Sequence, residues 1–133
     1  MITKLVHVTV IVRDQEEALR FYTEKLGMEK REDRTMGTYR WLTVAPKGSA
    51  VAIVLQKPAA PFQQPDEIEQ MLAQVGNGTT WVVETDDCKA DYEAMTTKGV
   101  TFTSAPSELP WGVSAVFQDL YGNKYNLLEP RAH

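Results

Sequence analysis

Apolar and polar positions alternate at the start of the chain. Val6, Val8, Val10 and Val12 interleave with His7, Thr9 and Ile11, and a period of two residues is the mark of a β-strand. The period then lengthens. Ala18, Phe21, Tyr22 and Leu26 recur at helical spacing, Asp14 stands where an N-cap is needed, Glu17 completes a capping box, and Gly27 offers a stop. Three more strands are expected near 29–34, 39–44 and 50–56, closing at Pro58. Shifted by 73 residues, the order returns. Trp81, Val83 and Thr85 alternate with Thr80, Val82 and Glu84. Asp86 or Asp87 caps a helix with Cys88, Tyr92 and Met95 on one face, and Gly99 ends it. Strands near 100–103, 114–118 and 124–129 follow, closing at Pro130.

The pattern predicts an α+β chain of two tandem βαβββ modules, 1–58 and 79–130, within a single domain spanning 1–133. Either module alone is close to the size at which a hydrophobic core becomes marginal. The intervening 59–78 opens with Ala59-Ala60-Pro61-Phe62-Gln63-Gln64-Pro65, a linker composition. Asp66 then caps a short helix with Ile68, Met71, Leu72 and Val75 on one face, and Gly76-Asn77-Gly78 resets the chain.

Charge and composition narrow the function classes. Lys and Arg number 14 against 18 Asp and Glu, a formal net charge of −4 over 133 residues. An acidic chain without a basic stripe lacks the phosphate-neutralising surface that nucleic acid or an anionic membrane requires. The longest nearly apolar stretch, Leu5 to Val12, is too short to span a bilayer, and no secretory leader is expected. The single cysteine, Cys88, excludes an intrachain disulfide and any Cys-pair zinc site, so the cytoplasm is the expected location. There are two histidines, His7 and His133. No Ser-His-Asp or Cys-His arrangement and no phosphate-binding glycine loop can be assembled.

The run HVTVIVRDQEEALRFYTEKLGM from His7 resembles the first module of the vicinal oxygen chelate superfamily, which includes glyoxalase I, bleomycin-resistance proteins and extradiol dioxygenases. The closing AVFQDLYGNKYNLLEP, Ala115 to Pro130, resembles that superfamily's last hairpin and strand. The resemblance implies curved mixed sheets forming an open cleft, usually within a homodimer. It also implies a divalent metal held by His or Glu residues from the first and fourth strand of each module, with positions left free for substrate.

Position by position, His7 matches the first ligand. Thr80 stands where the second would be His, and Asn126 where the last would be Glu. The fourth strand of the first module offers Ile53, or Ala52 after a slip of one residue. The remaining donors for a metal are His7, Gln56 and Glu129, but alternation puts Glu129 on the opposite face from Asn126. Glu84 shares parity with Thr80, about 13 Å away along an extended strand. Asp14 and Asp87 read as caps, Asp119, Gly122 and Asn123 as turn chemistry, and Cys88 as a small core residue.

Aromatic residues are the remaining asset. Trp41 shares a strand face with Tyr39 and Thr43, and Trp111 lies in the loop Leu109-Pro110-Trp111-Gly112. Trp81 points towards a helix by parity, while Phe62 lies in the linker and Tyr121 in the last hairpin. A concave site lined by aromatics with a few polar groups suits a flat organic ligand. The expected function is metal-independent binding of a small hydrophobic or aromatic molecule, of the drug-sequestering kind, through His7, Thr9, Trp41, Thr80, Trp111 and Asn126. No cofactor is needed for it. The alternative is a divalent-metal-dependent lyase, isomerase or dioxygenase with an altered metal site centred on His7.

Overall fold

The computed structural model describes residues 1–59, 63–76 and 80–131. Pro61 and Phe62 of the linker, Asn77 and Gly78 of the reset, and His133 lie outside the described residues. Two compact units are formed, Met1–Val75 and Gly76–His133. Each repeats the expected βαβββ order, and the chain is α+β.

The first unit runs β1 (His7–Ile11), α1 (Gln15–Arg20), β2 (Glu29–Met36), β3 (Tyr39–Ala45), β4 (Ala52–Gln56) and α2 (Pro65–Ala73). Its sheet has the order β1-β4-β3-β2, with β1 and β4 parallel and the other pairs antiparallel. Asp14 caps α1 by accepting from the Glu17 amide at 2.9 Å. The helix does not stop where its hydrogen-bond pattern changes. It continues as a π-helical turn, Phe21–Lys25, whose Phe21 and Tyr22 are buried. Gly27, with φ +72°, then frees the chain to enter β2.

Register sorts each strand into two faces. Val10 pairs with Leu55 and Val44 with Ile53, so these four, with Leu42 and Val12, form the buried face beneath α1. The Gln15 side-chain amide crosses from α1 to donate to the carbonyls of Arg40 (3.0 Å) and Leu55 (2.8 Å). Arg40 closes the same side. Its guanidinium meets Asp33 through two bonds of 2.8 and 2.7 Å and Glu16 of α1 at 2.8 Å. That pairing holds the Asp33 carboxyl below the usual carboxylate range, against the opposing effect of burial.

Within the linker, α2 begins one residue before the expected Asp66 cap. Gln64 precedes Pro65 and its amide donates to Glu67 Oε1 at 3.1 Å. Proline suits the first helical position, where no amide is needed.

The second unit runs β5 (Trp81–Glu84), α3 (Cys88–Thr97), β6 (Thr101–Leu109), β7 (Gly112–Gln118) and β8 (Lys124–Pro130), with sheet order β5-β8-β7-β6. Asp87, rather than Asp86, is the cap, accepting from the Ala90 amide at 3.0 Å. Beneath α3 an aromatic series fills the core: Tyr92 against Phe102 (4.7 Å between ring centres), Phe102 against Phe117 (5.6 Å), and Phe117 stacked on Tyr125 (5.3 Å). Strand β6 is more than twice as long as expected. Register shifts between Phe102 and Ser104 and between Ser104 and Ser107 absorb its extra residues.

Candidate functional site

In the first unit, the face turned away from α1 carries His7 and Thr9 from β1, Ala52, Val54 and Gln56 from β4, Tyr39, Trp41 and Thr43 from β3, and Glu32 and Arg34 from β2. The β2 residues reach it because of a bulge. Lys30 pairs with Val44 and Glu32 with Thr43, leaving Arg31 unpaired in the ladder and Glu32 facing inwards. Arg31 instead bonds Glu29 at 2.8 Å and the Pro46 carbonyl at 3.1 Å.

Strands β1 and β2 are the two edges of the sheet, about 14 Å apart if it were flat. Long side chains bridge that span: His7 Nε2 lies 3.8 Å from Glu32 Oε1. The His7 ring stands edge-on to Trp41, at 80° and 5.2 Å between centres. Arg34 holds the other Glu32 oxygen at 2.8 Å. The Thr43 hydroxyl, fully buried, accepts from the Glu32 amide at 3.0 Å. A ring of side chains from three strands thus converges over a floor of Thr43 and Val54.

Thr9 shares the face with His7 and is exposed, while Gln56 lies on it opposite Ile11, four residues along the strand from Ala52. The sequence pattern does not single out Glu32 or Arg34. Only the bulge at Arg31 decides which of six consecutive charged residues turns inwards, and no hydrophobic period marks it.

In the second unit, Asn126 and Val82 are partners in the ladder, and Thr80 and Glu84 keep the parity of Val82. All four belong to the face away from α3, as do Ser114 and Leu128. The Ser114 hydroxyl donates to Asn126 Oδ1 in a short hydrogen bond. Trp81 pairs with Tyr125 and so faces α3. Trp111 stands at the tip of the β6–β7 hairpin, 60% exposed. Glu129 lies on the α3 face and accepts from the Cys88 amide at 2.9 Å. Burial, with the carboxylates of Glu129, Asp91 and Asp87, pushes the Cys88 thiol up.

These positions decide what a metal would meet. His7 is opposite Ala52, which offers a methyl group. The ladder also corrects the repeat. Thr9 pairs with Val54 as Val82 pairs with Asn126, so the counterpart of Asn126 is Val54, not Ile53, which faces the helix. Neither Ala52 nor Val54 can donate, and Thr80 and Asn126 are neutral oxygen and amide groups. No cluster of three or more His, Cys, Asp or Glu side chains suited to a metal exists among the described residues. The donor set does not fit a conventional divalent-metal centre of this fold.

Comparison with known proteins agrees with the architecture. Residues 4–127 match the family model of the Glyoxalase/Bleomycin resistance protein/Dioxygenase superfamily. YetH of Bacillus subtilis (strain 168) is 37% identical over 130 residues, covering 97% of this chain and all of that one. The crystal structure of UcmS2 superposes with a TM-score of 0.88 at 39% identity, over 97% of this chain and 99% of that one. TnmS3, described as an antibiotic-binding protein from Streptomyces sp. CB03234, superposes with a TM-score of 0.77 at 32% identity, over 98% of both. The paired βαβββ units, their strand order and these similarities together make this chain a member of the Glyoxalase/Bleomycin resistance protein/Dioxygenase superfamily.

Proposed function

We propose that the protein binds a small hydrophobic or aromatic molecule without a metal, sequestering it rather than transforming it. The observation that carries this reading is the aromatic face of the first unit turned away from α1. There Trp41 and the edge-on His7 ring supply flat aromatic surface, and among the described residues the only carboxylate brought to them is Glu32, already paired to Arg34. Flat ligands gain most from such surfaces, because aromatic stacking adds to area burial. Similarity to TnmS3, an antibiotic-binding protein, supports a ligand of drug-like size. Thr9 at the same face is the further contact we assign to this function; Thr80, Asn126 and the exposed Trp111 belong to the second unit.

The test is a tryptophan-fluorescence and calorimetric titration against a library of planar aromatic compounds, with and without EDTA. Saturable binding that EDTA leaves unchanged is expected. The reading fails if near-stoichiometric divalent metal co-purifies, is lost in His7→Ala, and supports turnover of 2-oxo or diol substrates. That outcome would establish the metalloenzyme instead.

A further inference from the structure

On this face of the first unit, among the described residues, one buried side-chain polar atom stands without a partner. Trp41 Nε1 is buried, and no hydrogen-bond acceptor reaches it among the described residues. Buried indole N–H groups ordinarily find an acceptor, and an exception calls for a physical reason. Two acceptor side chains of the same face have other neighbours. Thr43 Oγ1 takes the Glu32 amide, and Glu32 presents one oxygen to Arg34 and the other towards His7. The indole itself is half-buried, so part of its ring is open to solvent while its N–H is covered. What spans the face is a weak contact. His7 and Glu32 are 3.8 Å apart, beyond hydrogen-bond length, and about one-third exposed at 33% and 39%.

Resting on the binding function above, we propose that Trp41 Nε1–H is the polar anchor of the site. A planar, uncharged aromatic ligand lies against the indole and accepts this hydrogen bond through a carbonyl oxygen or heteroaromatic nitrogen, displacing the His7–Glu32 contact as it enters. The ligand is uncharged because, among the described residues, the charged side chains of this face are the pair Arg34 and Glu32, which neutralise each other at 2.8 Å. A ligand ion would be desolvated there without a counter-ion.

A matched pair of probes tests this on the full chain: 1-indanone, and indane, which lacks the carbonyl. The three indole N–H resonances are assigned in 15N-labelled protein from Trp41→Phe, Trp81→Phe and Trp111→Phe. Saturation with 1-indanone is expected to move the Trp41 indole proton downfield, and indane is expected not to. The wild type should bind 1-indanone about tenfold tighter than indane, the order of gain from pairing a buried donor. In Trp41→Phe that ratio should fall to about one. The resonance is read on wild-type protein, so the test survives a poorly folded variant. Binding of both probes with equal affinity and an unmoved Trp41 resonance would overturn the anchor and leave the binding function standing. Failure of both probes to bind would overturn both. Tighter binding of 5-carboxy-1-indanone than of 1-indanone would overturn the uncharged class.

Discussion

Replacing Gly112 by alanine tests the packing of the second sheet at its closest backbone approach. Gly112 opens β7 with φ +154°, and a Cβ there would sit 2.2 Å from the Glu129 carbonyl oxygen and 3.1 Å from Pro130 Cα. Both contacts are backbone, so no side chain can swing aside. Gly37 is the control. Its φ is +63°, and nothing lies within 4 Å of a Cβ placed there. Gly37→Ala therefore carries only the left-handed penalty, partly offset by a stiffer unfolded chain, for a net of about 1 kcal/mol. Gly112→Ala adds overpacking against a paired strand and should cost about 3–5 kcal/mol. With about 2.1 cal/mol/K per residue, the unfolding entropy of this chain is roughly 0.28 kcal/mol/K. The expected falls in Tm are then about 4 °C for Gly37→Ala and about 11–18 °C for Gly112→Ala. Circular-dichroism melts at one scan rate and protein concentration measure both. Gly76→Ala, with φ +82° and a Cβ 2.8 Å from the Tyr121 carbonyl, should fall between them. A Gly112→Ala melt within 3 °C or so of Gly37→Ala would refute the steric reasoning.

Three further outcomes follow from the side-chain networks. Arg40→Met removes the partner that depresses Asp33, and should cost about 1–2 kcal/mol at neutral pH. The Asp33 contribution is complete above the unfolded carboxylate range and is lost as pH falls through the depressed native value. Urea unfolding from pH 6 down to pH 2 should therefore show a shallower acid decline in Arg40→Met than in the wild type, and parallel curves would contradict the assignment. Asp119 is buried and accepts from the amides of Tyr121 (2.8 Å) and Asn123 (2.9 Å). Asp119→Ala should destabilise by about 2–4 kcal/mol in the same urea assay, and a loss below about 0.5 kcal/mol would show the turn to be self-sufficient. Cys88 is buried with its thiol pushed up, so a disulfide reagent should label native protein only at the rate of opening, and labelling as fast as in urea would disprove that burial.

How much of this is legible in the sequence depends on the element. The Asp14 and Asp87 caps follow from a short carboxylate placed just ahead of a helical period, and both accept the expected amide. Trp81 was readable by parity because β5 has no bulge. Strand β2 was not readable in the same way. Glu29 to Arg34 is charged throughout, so nothing in the pattern separates its faces, and the bulge at Arg31 then shifts parity. That is why Glu32 and Arg34 went unnoticed at the site. In β6 the serines and Pro106 conceal a strand that survives by register shifts. The Ile53 alignment failed for a similar reason. A shift of 73 residues relates β1 to β5, but 72 relates Val54 to Asn126, and a one-residue difference exchanges faces.

The contact between His7 and Glu32 joins the two rims of a four-stranded sheet whose rim strands share no hydrogen-bond ladder. A guest that parts these side chains would change the surroundings of β1 and β2 together, while the β3–β4 ladder between them needs no change. Amide exchange would register this as paired changes in β1 and in the charged β2, with a silent centre. Such a signature needs no knowledge of the guest's chemistry, and it separates entry into this face from adhesion anywhere else on the surface.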